Sequence, residues 1–145
     1  MKKLLFAAIT LLFSVTTLSA EERVIEKKSL PKSAQTFIST YYGKDKVSIA
    51  TVEKDLFETD YKVILTSGVK IEFDEKGNWT DIEGRRNSEI PKALVPEYIH
   101  NYVKSNFSSN KIIKIERDRK TTEVELDNGM ELEFNSNGRL IKVDN

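Results

Sequence analysis

Ser67-Gly68-Val69-Lys70-Ile71-Glu72-Phe73 and Asn128-Gly129-Met130-Glu131-Leu132-Glu133-Phe134 follow one pattern: a glycine-bearing turn, then apolar and polar residues in strict alternation up to a phenylalanine. Alternation with a period of two marks a strand with one buried face. The offset between the copies is 61 residues at Gly68/Gly129, Phe73/Phe134 and Gly77/Gly138. Working upstream, Val52-Glu53-Lys54-Asp55 aligns with Ile115-Glu116-Arg117-Asp118 at an offset of 63, which makes the following loop two residues shorter in the second copy. Further upstream, Leu30-Pro31-Lys32 recurs as Ile90-Pro91-Lys92. A sequence that repeats itself at this scale is best read as a repeated structural unit.

Each unit opens with a helix. Ala34, Phe37, Ile38, Tyr41 and Tyr42 form one apolar stripe at helical spacing, with Pro31 near the first turn, where its missing N–H costs nothing, and Gly43 at the end. Val95, Tyr98, Ile99, Tyr102 and Val103 make the second stripe, but Pro96 would break a helix begun at Pro91, so this helix is expected to start near Pro96.

Alternating runs then predict four strands per unit: 47–54, 60–66, 69–74 and 78–83, followed by 111–117, 121–127, 130–135 and 139–143. Ser67-Gly68 and Asn128-Gly129 suit two-residue hairpin turns, and Asp74 to Gly77 and Asn135 to Gly138 suit the longer turn with a left-handed glycine. The expected fold is α+β. Two tandem units, about 29–85 and 88–145, each a helix plus a four-stranded antiparallel meander, share one sheet of about eight strands with both helices on one face.

Alternation also assigns the faces. Val63, Leu65, Val69, Ile71 and Phe73 point to the helices, with Val124, Leu126, Met130, Leu132 and Phe134 as their counterparts. Ala50, Val52, Thr80 and Ile82 join that side, matched by Ile113, Ile115, Ile141 and Val143. The helix-free face receives Ile49, Lys62, Ile64, Lys70, Glu72, Trp79 and Asp81 in the first unit. In the second it receives Ile112, Lys114, Glu123, Glu125, Glu131, Glu133, Leu140 and Lys142. Trp79, the single tryptophan, either anchors a partner there or packs under a neighbouring loop or the other unit. On the first reading, Trp79→Ala leaves the fold intact and weakens capture of a partner.

The first twenty residues combine Lys2-Lys3, an apolar run from Leu4 to Val15 and small residues at Ser19 and Ala20, the layout of a secretory signal peptide cut after Ala20. The run is too short for a bilayer span, which takes roughly 20 apolar residues. The chain has no cysteine, which rules out disulfides and anchoring through a lipidated cysteine. Acids and bases balance at 23 each over the whole chain, and residues 1–20 hold two lysines and no acid, so the remainder carries a net charge of −2. That balance favours neither nucleic acid nor an anionic membrane. A periplasmic or secreted destination follows.

Candidate chemistry is sparse. His100 is the single histidine, lies off the helix stripe and has no nucleophile signature beside it, so no catalytic residue is assigned. Glu116, Glu123, Glu125, Glu131 and Glu133 form a solvated acidic face or collect a hard cation; Asp74 to Asn78 lacks the length and terminal Glu of a calcium loop and reads as a turn. No metal ligand set is assigned and no cofactor is required. Tyr41, Tyr42, Tyr98 and Tyr102 read as packing at the helix–sheet seam, or as a phenol-lined peptide groove.

Leu30-Pro31, Phe37-Ile38, Gly68 to Phe73 and Gly77-Asn78-Trp79, with Ile90-Pro91, Tyr98-Ile99, Gly129 to Phe134 and Gly138-Arg139-Leu140, resemble the PepSY-like family of small periplasmic proteins of the Bacteroidetes type. The resemblance covers nearly all of the chain beyond the leader. It implies a fold similar to that of β-lactamase-inhibitor proteins, whose open sheet face grips another protein, without implying inhibition here, and it brings no catalytic residues with it. The function expected is a non-enzymatic binding or inhibitory module for an envelope or secreted protein or peptide. Its site is the helix-free face: Trp79, Ile49, Ile64, Lys62, Lys70, Glu72, Asp81 and Leu140. A small-ligand or metal-binding sensor is the alternative, and a hydrolase a more distant one.

Overall fold

Short turns between alternating segments leave antiparallel neighbours as the simplest pairing. In this computed structural model, which describes residues 20–85 and 88–145, every strand pairs with the next in sequence. The strands are β1 (Glu21–Ile25), β2 (Val47–Lys54), β3 (Thr59–Leu65), β4 (Lys70–Phe73), β5 (Trp79–Glu83), β6 (Ile112–Arg117), β7 (Thr121–Leu126), β8 (Glu131–Asn135) and β9 (Leu140–Asp144). Helix α1 (Lys32–Tyr41) lies between β1 and β2, and α2 (Glu97–Asn106) between β5 and β6. The protein is therefore α+β, with one open antiparallel sheet in the order β1 to β9.

Eight of these strands fall within one residue of the alternating runs. The ninth, β1, has no counterpart in the sequence reading. Its residues Glu21-Glu22-Arg23-Val24 are exposed and carry no alternation, and only Ile25 packs against the core. The strand is held by its backbone ladder to β2, from Glu21↔Lys54 to Ile25↔Ala50. Except for Ala20, the leader read over residues 1–20 lies outside the described residues.

The core forms on one side of the sheet. Ile71, Ile82, Ile115, Val124 and Leu132 lie opposite one another across five successive strands, β4 to β8, and all are fully buried. Phe73 and Phe134, each two residues further along its strand, share that side. Phe37 of α1 meets Phe73 edge-on with ring centres 5.7 Å apart, and Tyr102 of α2 meets Phe134 in the same way at 5.5 Å. Both helices thus cover this face. Each large apolar side chain removed from water there contributes about 1.5–3 kcal/mol.

Pro96, not Pro91, does for α2 what Pro31 does for α1. Pro31 and Pro96 each stand immediately before their helix with φ of −52°, whereas Pro91 opens a separate 3-10 turn, Lys92–Leu94. Val95 therefore precedes α2 instead of belonging to its stripe. The buried helical residues are Ala34 and Ile38 in α1, and Ile99 and Val103 in α2. The hairpins account for the changed spacing. Ala50 pairs with Val63 and the turn residue Asp55 follows five positions later, while Ile115 pairs with Val124 and Asp118 follows after three. The β2–β3 hairpin is longer than β6–β7 by two residues in each arm.

Four bulges interrupt the pairing, and three of them correct the face assignments. A bulge admits one extra residue on one strand and thereby turns its flanking residues to the opposite side. One between β4 and β5 sets Trp79 opposite the buried Phe73, with Thr80 as the extra residue. Trp79 is consequently in the core, 8% exposed, with its ring centre 6.4 Å from that of Phe37. The bulge between β8 and β9 does the same to Leu140, which pairs with Phe134 and packs against the core. Ile141 becomes that bulge's extra residue and is exposed; Val143 faces the core side but is also exposed, because β9 is the sheet edge. In β6 a bulge buries Ile112 in place of Ile113, and its counterpart in β2 sits between Val47 and Ile49.

The turns at Ser67-Gly68 and Asn128-Gly129 also differ from the expected two-residue form. Leu65 N–H donates to Val69 O and Gly68 N–H to Leu65 O, a three-residue loop with Gly68 at φ +91°. Gly129 closes the β7–β8 loop in the same way at +87°. This is the type I turn followed by a left-handed glycine bulge.

Candidate functional site

The face away from the helices is organised in cross-strand rows. Thr51, Lys62, Glu72, Asp81, Glu116, Glu123, Glu133 and Lys142 lie directly opposite one another from β2 to β9. Five consecutive members, Glu72 to Glu133, are carboxylates, and neighbouring strands are about 4.8 Å apart, so the acidic line extends for roughly 19 Å. The next row reads Ile49, Ile64, Lys70, Glu83, Lys114, Glu125, Glu131 and Asp144. Its first two residues form an apolar pair, each more than a third exposed.

Lysines answer part of this charge. Lys114 Nζ lies 3.5 Å from Asp81 and 3.7 Å from Glu116, Lys70 lies 3.7 Å from Glu83, and Lys62 bonds Glu53 at 3.1 Å. Lys142 pairs with Asp144 at the far edge. Asp81 is the most perturbed acid: burial, reinforced by Glu72 and Glu116, pushes it up to about 6 against the pull of Lys114. Burial also raises Glu123, with Glu131, Glu116 and Glu133 adding to the effect. Burial alone would lower Lys114, but Asp81 and Glu116 outweigh it and hold it raised. Like charges placed directly opposite across strands are destabilising, so the row carries a cost that folding does not require.

Of the residues assigned from sequence, Lys62, Glu72 and Asp81 fall in the first row, and Ile49, Ile64 and Lys70 in the second. Trp79 and Leu140 are on the other side of the sheet. The Trp79 ring is capped by the Arg117 guanidinium, 3.7 Å above its centre, and Arg117 Nε–H donates to Trp79 O at 2.9 Å. Alternation marks Glu116, Glu123 and Glu133 as outward-facing but does not join them to Glu72 and Asp81. The join depends on the β5–β6 register, Asp81↔Glu116, which no local pattern encodes.

The row has little capacity for enclosed chemistry. Glu116, Asp118, Thr121, Glu123 and Glu133 line an open-sided depression. Among the described residues no group of three or more His, Cys, Asp or Glu side chains is placed to hold a metal ion, since cross-strand neighbours stand side by side and do not converge. His100 is half-buried on the helix side, near Lys92 and Val95. Among the described residues no helix is long and apolar enough to cross a membrane.

Comparison with known proteins gives a consistent result. The family described as "Putative beta-lactamase-inhibitor-like, PepSY-like" matches residues 59–142. A Bacteroides vulgatus protein of the DUF2874 family, described as a "putative periplasmic protein", is 42% identical, with a TM-score of 0.82 over 86% of this chain and 98% of that one. A Bacteroides thetaiotaomicron protein described as a "putative calcium-regulated periplasmic protein" is 40% identical, with a TM-score of 0.82 over 86% and 97%. A second Bacteroides vulgatus protein, described as a "putative periplasmic protein of unknown function", is 35% identical, again with a TM-score of 0.82, over 86% and 100%. No curated protein matches the chain.

Proposed function

Because this chain belongs to the PepSY-like family, whose solved relatives are described as periplasmic, we propose that it is a non-enzymatic module that binds a positively charged segment of another exported protein across its helix-free sheet face. The observation that carries this reading is the unbroken run Glu72, Asp81, Glu116, Glu123 and Glu133. A basic segment laid along it relieves the repulsion within the run and finds apolar contact at Ile49 and Ile64. Catalysis is not supported, since the carboxylates stand in open rows without a cleft to exclude water. A periplasmic or secreted location accords with reading residues 1–20 as a leader.

The same proposal holds that the chain is two copies of one unit. Supporting it, residues in matching roles are 65 apart from Pro31/Pro96 to Ala50/Ile115 and 61 apart from Val63/Val124 to Gly77/Gly138, the difference residing in the longer β2–β3 hairpin. The copies share their core positions but differ on the open face, so the binding face is asymmetric.

The test uses a labelled ten-lysine peptide and fluorescence anisotropy. Binding that weakens with added salt, and weakens further in the Glu116→Gln/Glu123→Gln/Glu133→Gln variant, supports the reading; absent binding, or binding indifferent to the triple substitution, refutes it. The calcium named for the Bacteroides thetaiotaomicron relative provides a second reading, in which a divalent cation associates with the open acidic face without a preformed ligand set among the described residues. Calcium that raises the melting temperature of the native chain but not of the triple variant favours that alternative.

A further inference from the structure

The β2–β3 hairpin outreaches its counterpart by two residues in each arm, and its tip carries Leu56 and Phe57, 68% and 91% exposed. The turn itself is tightly built. Asp55 Oδ1 accepts the N–H groups of Phe57 and Glu58, both at 2.7 Å, and Asp55 N–H donates to Glu58 O at 3.1 Å. The β6–β7 turn has the same construction: Asp118 Oδ1 accepts from Lys120 at 2.6 Å and Thr121 at 2.8 Å, and Asp118 N–H donates to Thr121 O at 3.0 Å. There the two tip positions are Arg119 and Lys120. The turn thus forms equally well with charged side chains, and neither its geometry nor the core explains two large apolar residues held in water.

The surroundings of the tip are acidic. Glu53, Asp55, Glu58 and Asp60 stand on or beside it and Glu21 and Glu22 of β1 flank it; these six acids outnumber the nearby lysines, Lys54 opposite Glu21 and Thr59, and Lys62, which is engaged by Glu53. Asp60 registers this field, raised by burial and then by Glu58, Glu53 and Asp55. We propose that Leu56 and Phe57 form a preorganised docking finger that enters an apolar pocket rimmed by basic residues on a partner protein. Charge complementarity selects the partner: an anionic bilayer surface repels such a tip. A second copy of this chain offers an open-sided depression with Lys92, Val95, His100 and Lys104, but Glu97 lines it as well and disfavours an acidic tip.

This inference is independent of the acidic row, and its test keeps the two apart. Benzoylphenylalanine is placed at position 57 of the chain and photo-crosslinked in envelope extract of the native host. The adduct is identified, and that protein is purified for titration. The Leu56→Arg/Phe57→Lys variant copies the chemistry of the other turn, so its melting temperature should equal that of the native chain, while affinity for the identified protein falls on the order of tenfold or more. Added salt should weaken the native complex. The Glu116→Gln/Glu123→Gln/Glu133→Gln variant is titrated in parallel, so that loss in one variant with retention in the other separates finger from row. Unchanged affinity in the tip variant overturns the proposal. So do adducts only with a second copy, sedimentation with phosphatidylethanolamine–phosphatidylglycerol vesicles, or no adduct at all.

Discussion

Replacing Trp79 with alanine should destabilise the protein severely instead of impairing a surface contact. The indole is buried against Phe37 and opposite Phe73, and the Arg117 guanidinium covers its outer face. Removing so large a buried aromatic costs about 3–5 kcal/mol, and the lost cation–π contact accounts for about 0.5–2 kcal/mol of that range or adds to it. With a urea dependence of about 2 kcal/mol/M, the unfolding midpoint should fall by roughly 2 M. Far-ultraviolet circular dichroism is the appropriate probe, because Trp79 is the chain's single tryptophan and the substitution removes the fluorophore. Trp79→Phe should lose less, since it keeps the ring against Phe37. A cycle with Arg117→Ala isolates the stacking energy, while the bond from Arg117 to the Trp79 carbonyl is available to either residue at position 79. A midpoint for Trp79→Ala within about 0.3 M of the native value, with the slope unchanged, would refute the burial argument and return Trp79 to the surface.

Other outcomes follow from the same geometry. Asp81 is raised from 3.8 to about 6 in the folded chain, so the stability this shift confers is complete below about 4 and is lost as pH rises through 6; Asp81→Asn should flatten that part of the urea-midpoint profile. Above pH 6 the row gains the Asp81 charge, and the ten-lysine peptide should bind more tightly than at pH 5 in the same anisotropy assay. Gly77→Ala should cost far more than Gly129→Ala in thermal melts: both have positive φ, but a Cβ at Gly77 meets Ser33 Oγ at 2.2 Å and Ala34 N at 2.9 Å, whereas none is obstructed within 4 Å at Gly129. Residues 21–85 and 86–145 expressed separately should each melt below the whole chain, because separation strips the ladder Asp81↔Glu116, Ile82↔Ile115 and Glu83↔Lys114 from both; equal melting temperatures would contradict a cooperative sheet.

The strands were legible in advance because alternation is local: Val63, Leu65, Val69, Ile71 and Phe73 declare one side of the sheet through their immediate neighbours. β1 escaped detection because its stabilisation is almost wholly backbone pairing with β2, which leaves no apolar signature in Glu21 to Val24. The helix correspondence slipped because Ile90-Pro91-Lys92 resembles Leu30-Pro31-Lys32 in letters, while the proline that starts α2 is Pro96. Of the candidate site, Ile49, Lys62, Ile64, Lys70, Glu72 and Asp81 keep the face that alternation assigned them, and Trp79 and Leu140 do not.

By itself, the sequence determined where eight of the nine strands run and, away from the bulges, which apolar residues the helices cover, since period-two patterning and turn glycines act over a few residues. Which way Trp79 points and which carboxylates become neighbours were decided only in the assembled sheet. A bulge forms against a partner strand, and its single extra residue reverses every side chain beyond it, so the turn of Trp79 into the core belongs to the β4–β5 pair and not to β5 alone. The five-carboxylate row likewise exists only because β5 meets β6 in one register, bringing Asp81 and Glu116, far apart in the chain, face to face.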